Sequence, residues 1–433
     1  MAEATPAISY GAIVWGQFKK NRLAYTGFWM VILLVMLAVY APLLCLDSPF
    51  WITTTAEDGQ RVTAYPWIQV LFDRNVFENT VDIFFNLLMV LSPVVGVSVV
   101  AARSWDRTRR PNNRRATERL LWGWAVVVGA LMILMVLTPM SRPLRDDVAL
   151  YNMHTAGLDA RLERLALASP EGVVDADTVA ALEASRATAW FPPVPRSFTK
   201  PNLDAVLAPP SRAHLLGTDS SGRDVFARML YGTRISLTIG VLAVSLYISI
   251  GVLIGALAGY FRGWVDTVVL RVIEVMLCFP SFILILTLAA FVEQPSIFHV
   301  MLIIGLTRWT GPARLTRGEF LRLGHQDFVT AAVASGIPQH RVILRHVLPN
   351  ALGPVLVNAT FGIASAILVE ASLAFLGLSD PSAPSWGEML NIGRTTQSTS
   401  LILIAGLALF ITLSTFNLVG EGLRDALDPK LRK

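Results

Sequence analysis

Long apolar stretches alternate with shorter polar ones along this chain, at about 24–46, 80–102, 120–140, 235–260, 267–292, 296–312, 352–378 and 399–420. They lack the charged face, at helical spacing, that buried helices of a soluble protein would carry, so each predicts a membrane-spanning helix. The sixth is the shortest. Between the sixth and seventh lies a polar, basic segment, 327–350, reading DFVTAAVASGIPQHRVILRHVLPN. Ala331, Ala332 and Ala334 favour a helix there, Gly336 and Pro338 interrupt it, and 339–347 predicts a second short helix. Two short helices about a glycine hinge make a compact knob rather than an enzyme pocket.

Composition agrees with that pattern: 433 residues, 54% hydrophobic and 15% charged, with a mean hydropathy of +0.55. The expected fold class is an all-α integral membrane protein of about eight transmembrane helices, with one sizeable extracytoplasmic segment. Arginine and lysine set its orientation, because positive charge stays on the cytoplasmic side. Lys19, Lys20 and Arg22 precede the first span; Arg103, Arg107, Arg109, Arg110, Arg114, Arg115 and Arg119 follow the second; Arg314, Arg317, Arg322, Arg341 and Arg345 follow the sixth; Arg424, Lys430, Arg432 and Lys433 close the chain. Eight spans put every block, and both termini, on the cytoplasmic face. The net charge of +5 is thereby explained without nucleic acid, since Trp105 is the only aromatic within the basic run at 103–119. The first apolar run is too long for a cleavable signal and lacks a small-residue cleavage site. Cys45 and Cys278 have no metal-ligand spacing.

No catalytic constellation is visible. His154, His214, His299, His325, His340 and His346 are not spaced as ligands, and the phosphate-cradling GxxxxGK[ST] loop is absent, so the chain is not expected to bind or hydrolyse ATP. Glu370, in the seventh span with Ser372 close by, is a candidate for a pathway or gate because an ionisable group in hydrocarbon is costly; a buried interhelical hydrogen bond is the plainer alternative. Arg271 with Glu274, and Asp82 with Asn86, are weaker cases of the same kind. In the turn at 214–224, HLLGTDSSGRD, Gly217 and Gly222 permit tight backbone and Asp219, Arg223 and Asp224 can bond across it. That turn either positions the next span or meets an outside partner. Pro381 and Pro384 break helix before Ser385, Trp386 and Gly387, where Trp386 suits a membrane interface or an outward contact.

Four stretches carry a resemblance: 214–224, 327–350, 375–390 (FLGLSDPSAPSWGEML) and 416–432 (FNLVGEGLRDALDPKLR). In this order they closely resemble the permease subunits of bacterial ATP-binding-cassette importers of the dipeptide, oligopeptide and nickel family, from about residue 209 to the C-terminus. The resemblance implies that 327–350 is the loop that docks into the ATPase, with Ala331, Ala332, Gly336, Arg345, His346, Leu348, Pro349 and Asn350 matching. Thr330 stands where an acidic residue is usual, and Glu421 where Asp is. It implies a bacterial inner-membrane location and a core of six spans, with 1–46 supplying the first and 231–433 the other five. The remainder divides into an insertion at 47–140 with two extra spans and a basic cytoplasmic loop, and an extracytoplasmic segment at 141–230. Within the latter, 158–167 and 177–187 have helical spacing, with Asp177 as a cap. The implied partners are a second homologous permease, two ATPase subunits that bind ATP and Mg, an extracytoplasmic solute-binding protein and the lipid membrane. A different function class also fits: a non-transporting scaffold or sensor that keeps the fold and recruits partners through the extra spans.

Overall fold

The computed structural model describes residues 10–55, 60–109, 115–137 and 187–428, with a few isolated positions between 151 and 179. Along the chain come α1 (Tyr10–Lys20), α2 (Arg22–Val39), the short α3 (Ala41–Leu44), strands β1 (Trp51–Thr55) and β2 (Arg61–Ala64), and the short α4 (Pro66–Val70). The long α5 (Thr80–Arg109) and α6 (Arg115–Leu137) follow, then β3 (Thr188–Trp190). The remaining helices are α7 (Val225–Phe261), α8 (Gly263–Cys278), α9 (Ser281–Ala290), α10 (Ile297–Thr307), α11 (Thr310–Leu323), α12 (Asp327–Ala334), α13 (Gln339–Phe375), α14 (Trp386–Thr395) and α15 (Thr399–Leu427). The chain forms two compact units, one of residues 1–35 with 235–433, the other of residues 36–234.

Among the described residues, five helices are long and apolar enough to cross a membrane: α2, the Thr80–Trp105 part of α5, α7, α13 and α15. The fifth apolar stretch is broken into α8 and α9, bent by 78°. The cause is local: Pro280 lacks an N–H and forces Phe279 into an extended conformation, at φ −92 and ψ 129. Counted as one broken span, the pair makes six. The third stretch is apolar over Arg119–Leu134 and the sixth over the 11-residue Ile297–Thr307, both shorter helices. Large apolar side chains face outward on the long helices, with Val97 72% and Phe410 67% exposed, as lipid-facing surfaces require.

In the unit of residues 1–35 and 235–433, helix approach is set by missing side chains. Gly251, Gly255 and Gly259 form one stripe of α7, four residues apart, against α11. A Cβ on Gly251 would lie 2.6 Å from the Pro312 Cβ, one on Gly259 2.7 Å from the Phe320 Cβ, and one on Gly255 would overlap the Ala313 carbonyl. Apolar chains in lipid gain little from the hydrophobic effect between helices, so association depends on backbones coming this close. At the base of the bundle Gly422 of α15 meets Ala24 of α2 in the same way, and Phe18, Ala24 and Ala426 form a small buried cluster.

Residues 36–234 hold a feature absent from the sequence expectation. β1 pairs antiparallel with β2 on one side and β3 on the other, Ile52 facing Ala64 and Ala189. Phe50 packs on Trp67 and Trp190 with ring centroids 5.4 and 5.0 Å away. The all-α expectation for the membrane helices therefore needs this small sheet added outside them. It brings residues 188–190 back beside residues 51–55, so the excursion through α5 and α6 leaves and returns at one place. Of the polar-segment helices expected, the described residues of 158–167 are helical, whereas nearly all of 177–187, Asp177 included, lies outside those described.

The extra helix α5 is fastened by a buried charge. Arg234, at the start of α7, donates from Nε to the Ala38 carbonyl at 2.7 Å, and its terminal nitrogens reach the Asp82 carboxylate at 3.1 Å and the Asn86 side-chain oxygen at 2.9 Å. All three side chains are buried, and the guanidinium lies 4.9 Å from the Tyr231 ring centre. Removing one member of a buried ion pair leaves an uncompensated charge and costs about 3–5 kcal/mol. Asp82→Ala is accordingly expected to lower the thermal unfolding midpoint of the detergent-purified chain markedly. An unchanged midpoint would show that α5 is held by other means.

Candidate functional site

The segment 327–350 begins with α12 and ends inside α13. α12 closes on a glycine C-cap: the Ile337 N–H donates to the Ala332 carbonyl at 3.2 Å and the Gly336 N–H to the Val333 carbonyl at 3.0 Å. That pair of bonds puts Gly336 at the position that takes left-handed backbone, and its φ is +74. No atom lies within 4 Å of where its Cβ would be, so the glycine is required by conformation, not by space. The second half differs from expectation. Residues 339–347 are no separate helix but the first turns of the 37-residue α13, with a π-helical stretch at Val342–Val347. Pro349 has no N–H to offer the preceding turn, and a widened turn is one way a helix absorbs such a gap. The Asn350 side chain adds a bond of its own, donating to the His346 carbonyl at 2.7 Å.

The inner face of this knob is welded to the helices above it. Val329, Ala332, Val342 and Val347 share one buried cluster with Ala256 of α7, Phe320 and Leu323 of α11 and Ala351, and Leu348 packs against it partly buried. Thr330 and Ala331 point outward, as do Arg345, Pro349 and Asn350. Phe328, Val333 and Leu344 expose large apolar side chains on the same knob, Leu344 to 59%. The Thr330 hydroxyl donates to its own helix, to the Asp327 carbonyl at 3.0 Å.

The turn at 214–224 is a closed hydrogen-bonded unit. Asp219, fully buried, accepts from the Ser221 N–H at 2.8 Å, the Arg223 N–H at 2.9 Å and the Arg223 Nε at 2.8 Å, and lies 3.5 Å from the Arg228 Nε. Asp224 caps α7 by accepting from the Ala227 N–H at 2.9 Å, while its other oxygen meets His214 Nδ1 at 2.8 Å. At Gly222 (φ +73) any Cβ would fall on the Asn202 carbonyl, and at Gly217 (φ +81) one would come within 2.5 Å of the Ala208 oxygen.

Glu370 is fully buried in α13, with the Ser385 side chain beside its carboxylate, although among the described residues neither oxygen makes a hydrogen bond of good geometry. Ser372, two residues on, donates to the Leu368 carbonyl at 2.7 Å and is directed differently. Trp386, read from sequence as an interface or outward residue, is 98% enclosed, with a relative exposure of 2%. It opens α14, whose Gly387 approaches α13 so closely that a Cβ would lie 2.6 Å from the Ala371 Cα. Ser385 caps α14 by accepting from the Glu388 N–H at 3.1 Å. Sequence reasoning passed over Arg308, although it falls inside the sixth apolar stretch. It undervalued Asp82 and Asn86, whose partner Arg234 lies 152 and 148 residues away. Among the described residues no group of three His, Cys, Asp or Glu side chains could hold a metal ion.

Residues 251–433 match the family described as the binding-protein-dependent transport system inner membrane component, and residues 9–57 match the N-terminal transmembrane domain of oligopeptide transport permease C. The dipeptide transport system permease protein of Alkalihalophilus pseudofirmus is 38% identical over 239 residues, covering 54% of this chain and 78% of that protein. The oligopeptide transport system permease protein of Haemophilus influenzae is 38% identical over 246 residues, 56% of this chain and 79% of the relative. The glutathione transport system permease protein of Pectobacterium atrosepticum is 39% identical over 226 residues, 52% and 75% respectively. Residues 58–250, with α5, α6 and the polar segment, match neither family description.

Left-handed backbone costs a residue with a Cβ about 1–2 kcal/mol, and Gly336 has room for the side chain itself. Gly336→Ala is therefore expected to raise amide hydrogen exchange at residues 335–339 without unfolding the chain, and Gly336→Val to raise it further through β-branching. Identical exchange in all three proteins would remove the conformational argument.

Proposed function

The chain belongs to the binding-protein-dependent transport system inner membrane component family, and from that premise we propose how its parts share the work of import. It is a membrane-spanning permease subunit of a peptide-type ATP-driven importer of the bacterial inner membrane, pairing with a second permease and with ATPase subunits. It performs no chemistry itself; ATP and Mg belong to the partner ATPases. The named relatives handle dipeptides, oligopeptides and glutathione, and we read a peptide cargo, delivered by an extracytoplasmic solute-binding protein, onto this chain as well.

The observation that carries the mechanism is the knob at 327–350, outwardly apolar and inwardly fused to two long helices. Phe328, Thr330, Ala331, Val333 and Leu344 are the surface offered to an ATPase, with Arg341 and Arg345 on its rim. Ala332, Val347 and Leu348 form the weld, and Gly336 sets the angle between α12 and α13. When ATP closes the ATPases, the knob moves as one body and carries α7, α11 and α13 with it, switching the pathway from inward- to outward-facing. Hydrolysis resets it. Eight membrane passes, with α8–α9 as one broken pass and α10 continuing into α11, leave both termini and the knob on the cytoplasmic side. The turn at 214–224 then serves on the outer face as a rigid mount for α7, and buried Trp386 anchors α14 beside Glu370.

Two tests follow from this reading. Gentle solubilisation of the tagged chain should recover a second permease and two ATPase copies in fixed proportion. Phe328→Asp with Leu344→Asp should lose the ATPases and peptide uptake while keeping the second permease. Recovery of this chain alone, under conditions that preserve other transporters, would sink the importer assignment. For Glu370, replacement by the similarly shaped Met removes a buried charge-bearing group whose oxygens make no hydrogen bond of good geometry among the described residues, and should leave stability equal or higher. A gate residue then loses at least about tenfold in uptake, whereas unchanged uptake assigns Glu370 to packing alone.

A further inference from the structure

Arg308 joins α10 to α11 in the interior of the apolar bundle. Its neighbours fix its depth: Gly305 meets Leu246, and the Trp309 carbonyl lies 2.8 Å from where a Gly251 Cβ would be. Residues 246–251 are near the middle of the 37-residue α7, roughly 20 Å from its nearer end at 1.5 Å per residue. A cation at that depth needs acceptors. The other arginines of the described interior have them. Arg234 has Asp82 and Asn86, Arg317 has a two-pronged bond to Asp266, and Arg223 has Asp219. Among the described residues Arg308 has a single neutral partner, donating from one terminal nitrogen to the Ser365 hydroxyl of α13 at 2.7 Å. Among the described residues no carboxylate lies within ion-pair distance of it. A guanidinium carries five N–H donors, so four are unspent.

The side chain is neither sealed nor loose. Arg308 and Ser365 are both partly buried, and the Ser365 bond holds the guanidinium plane to α13. Tyr247, whose hydroxyl occupies the space a Gly362 side chain would need, brings a second hydroxyl to the same neighbourhood and lies within electrostatic range of Arg308. A planar fork of N–H donors beside two hydroxyls matches a carboxylate, which accepts two parallel bonds from an arginine. Every linear peptide with a free C-terminus presents one α-carboxylate whatever its side chains.

We propose that Arg308, oriented by Ser365, is the point inside the membrane bundle that receives the α-carboxylate of the passing peptide. This rests on the peptide-import reading above. One residue can then guide cargo of many sequences, because it reads only the group they share. Its neutral partner matters: a permanent acid would compete with the cargo for the same donors.

The test is a cycle of two changes in the assembled transporter, with both permeases, the ATPases and the solute-binding protein in proteoliposomes. Uptake of a radiolabelled tripeptide and of its C-terminal amide is measured for the native chain, Arg308→Gln and Arg308→Lys. Any preference of the binding protein is common to all three and cancels in the ratios. Arg308→Gln should cut uptake of the free acid by about tenfold or more, the loss of one charge-assisted bond pair, and change the amide by less than about twofold. Arg308→Lys keeps the charge and the bulk but not the fork, and should fall between the two for the acid alone. Equal losses for acid and amide would overturn the proposal, since an acid of the partner permease or simple packing would give that result. So would an undiminished acid-to-amide ratio in either variant. Failure of the native complex to move any peptide would be seen before a variant is made, and would remove the import reading and this proposal with it.

Discussion

Three glycines on one stripe of α7 bring its backbone against α11, and most of what residues 235–433 can do depends on that approach. The contact is too close for any side chain at Gly255, and nearly so at Gly251 and Gly259. α7 and α11 then descend together and supply Ala256, Phe320 and Leu323 to the cluster that holds the knob. Close-packed interiors do not deform continuously; they shift as bodies. In the proposed coupling, a push on Phe328 or Leu344 would be delivered to helices with no slack between them. The helix cap at Gly336 resists unwinding of α12, because the Ala332 and Val333 carbonyls of its last turn are already bonded.

Polar groups among the apolar helices obey a second constraint, that each must find its partner inside the chain. In residues 36–234 the rule is met by Arg234, which uses a carboxylate, an amide and backbone carbonyls together. Asp219 and Asp224 meet it in the turn at 214–224. Among the described residues of the other unit two ionisable groups meet it only in part: Arg308, with one hydroxyl, and Glu370, with the Ser385 side chain near it but no bond of good geometry. Unsatisfied charge is expensive to keep, which is why these two residues, and not the well-bonded turn, draw the functional proposals. The sheet of β1, β2 and β3 explains how a long excursion can be carried without disturbing the rest. Its ends are held side by side, so what lies between them is structurally a loop.

The knob was the most legible part of the site. Alanine runs, a glycine followed by proline and a cluster of arginines are local signals, and α12 with its capping glycine sits where they place it. Its second half was misjudged because nothing local distinguishes a free short helix from the first turns of a long one; only the continuity of α13 decides. Trp386 misled for a related reason. Between prolines and beside a span end it has the chemistry of an interface residue, yet the small Gly387 lets α14 sink against α13 and takes the indole inside. Arg308 was visible as a charge within an apolar stretch and was counted with neither the loop nor the span. The glycine stripe of α7 is also written in the chain at four-residue intervals.

Apolar run length, charge asymmetry and turn chemistry are properties of neighbouring residues. The sequence by itself therefore determined that this is a multi-pass helical membrane protein with a basic loop between its sixth and seventh apolar stretches, and it carries the motifs of its family. Which helices cross whole, where a short helix proves to be the first turns of a long one, and which charged groups meet a partner were decided only by tertiary structure. Asp82 acquires its meaning from Arg234, Ser365 from Arg308, and residues 51–55 from 188–190. Each pair is separated by dozens of residues or more, and its free energy exists only once the chain has closed the distance between them.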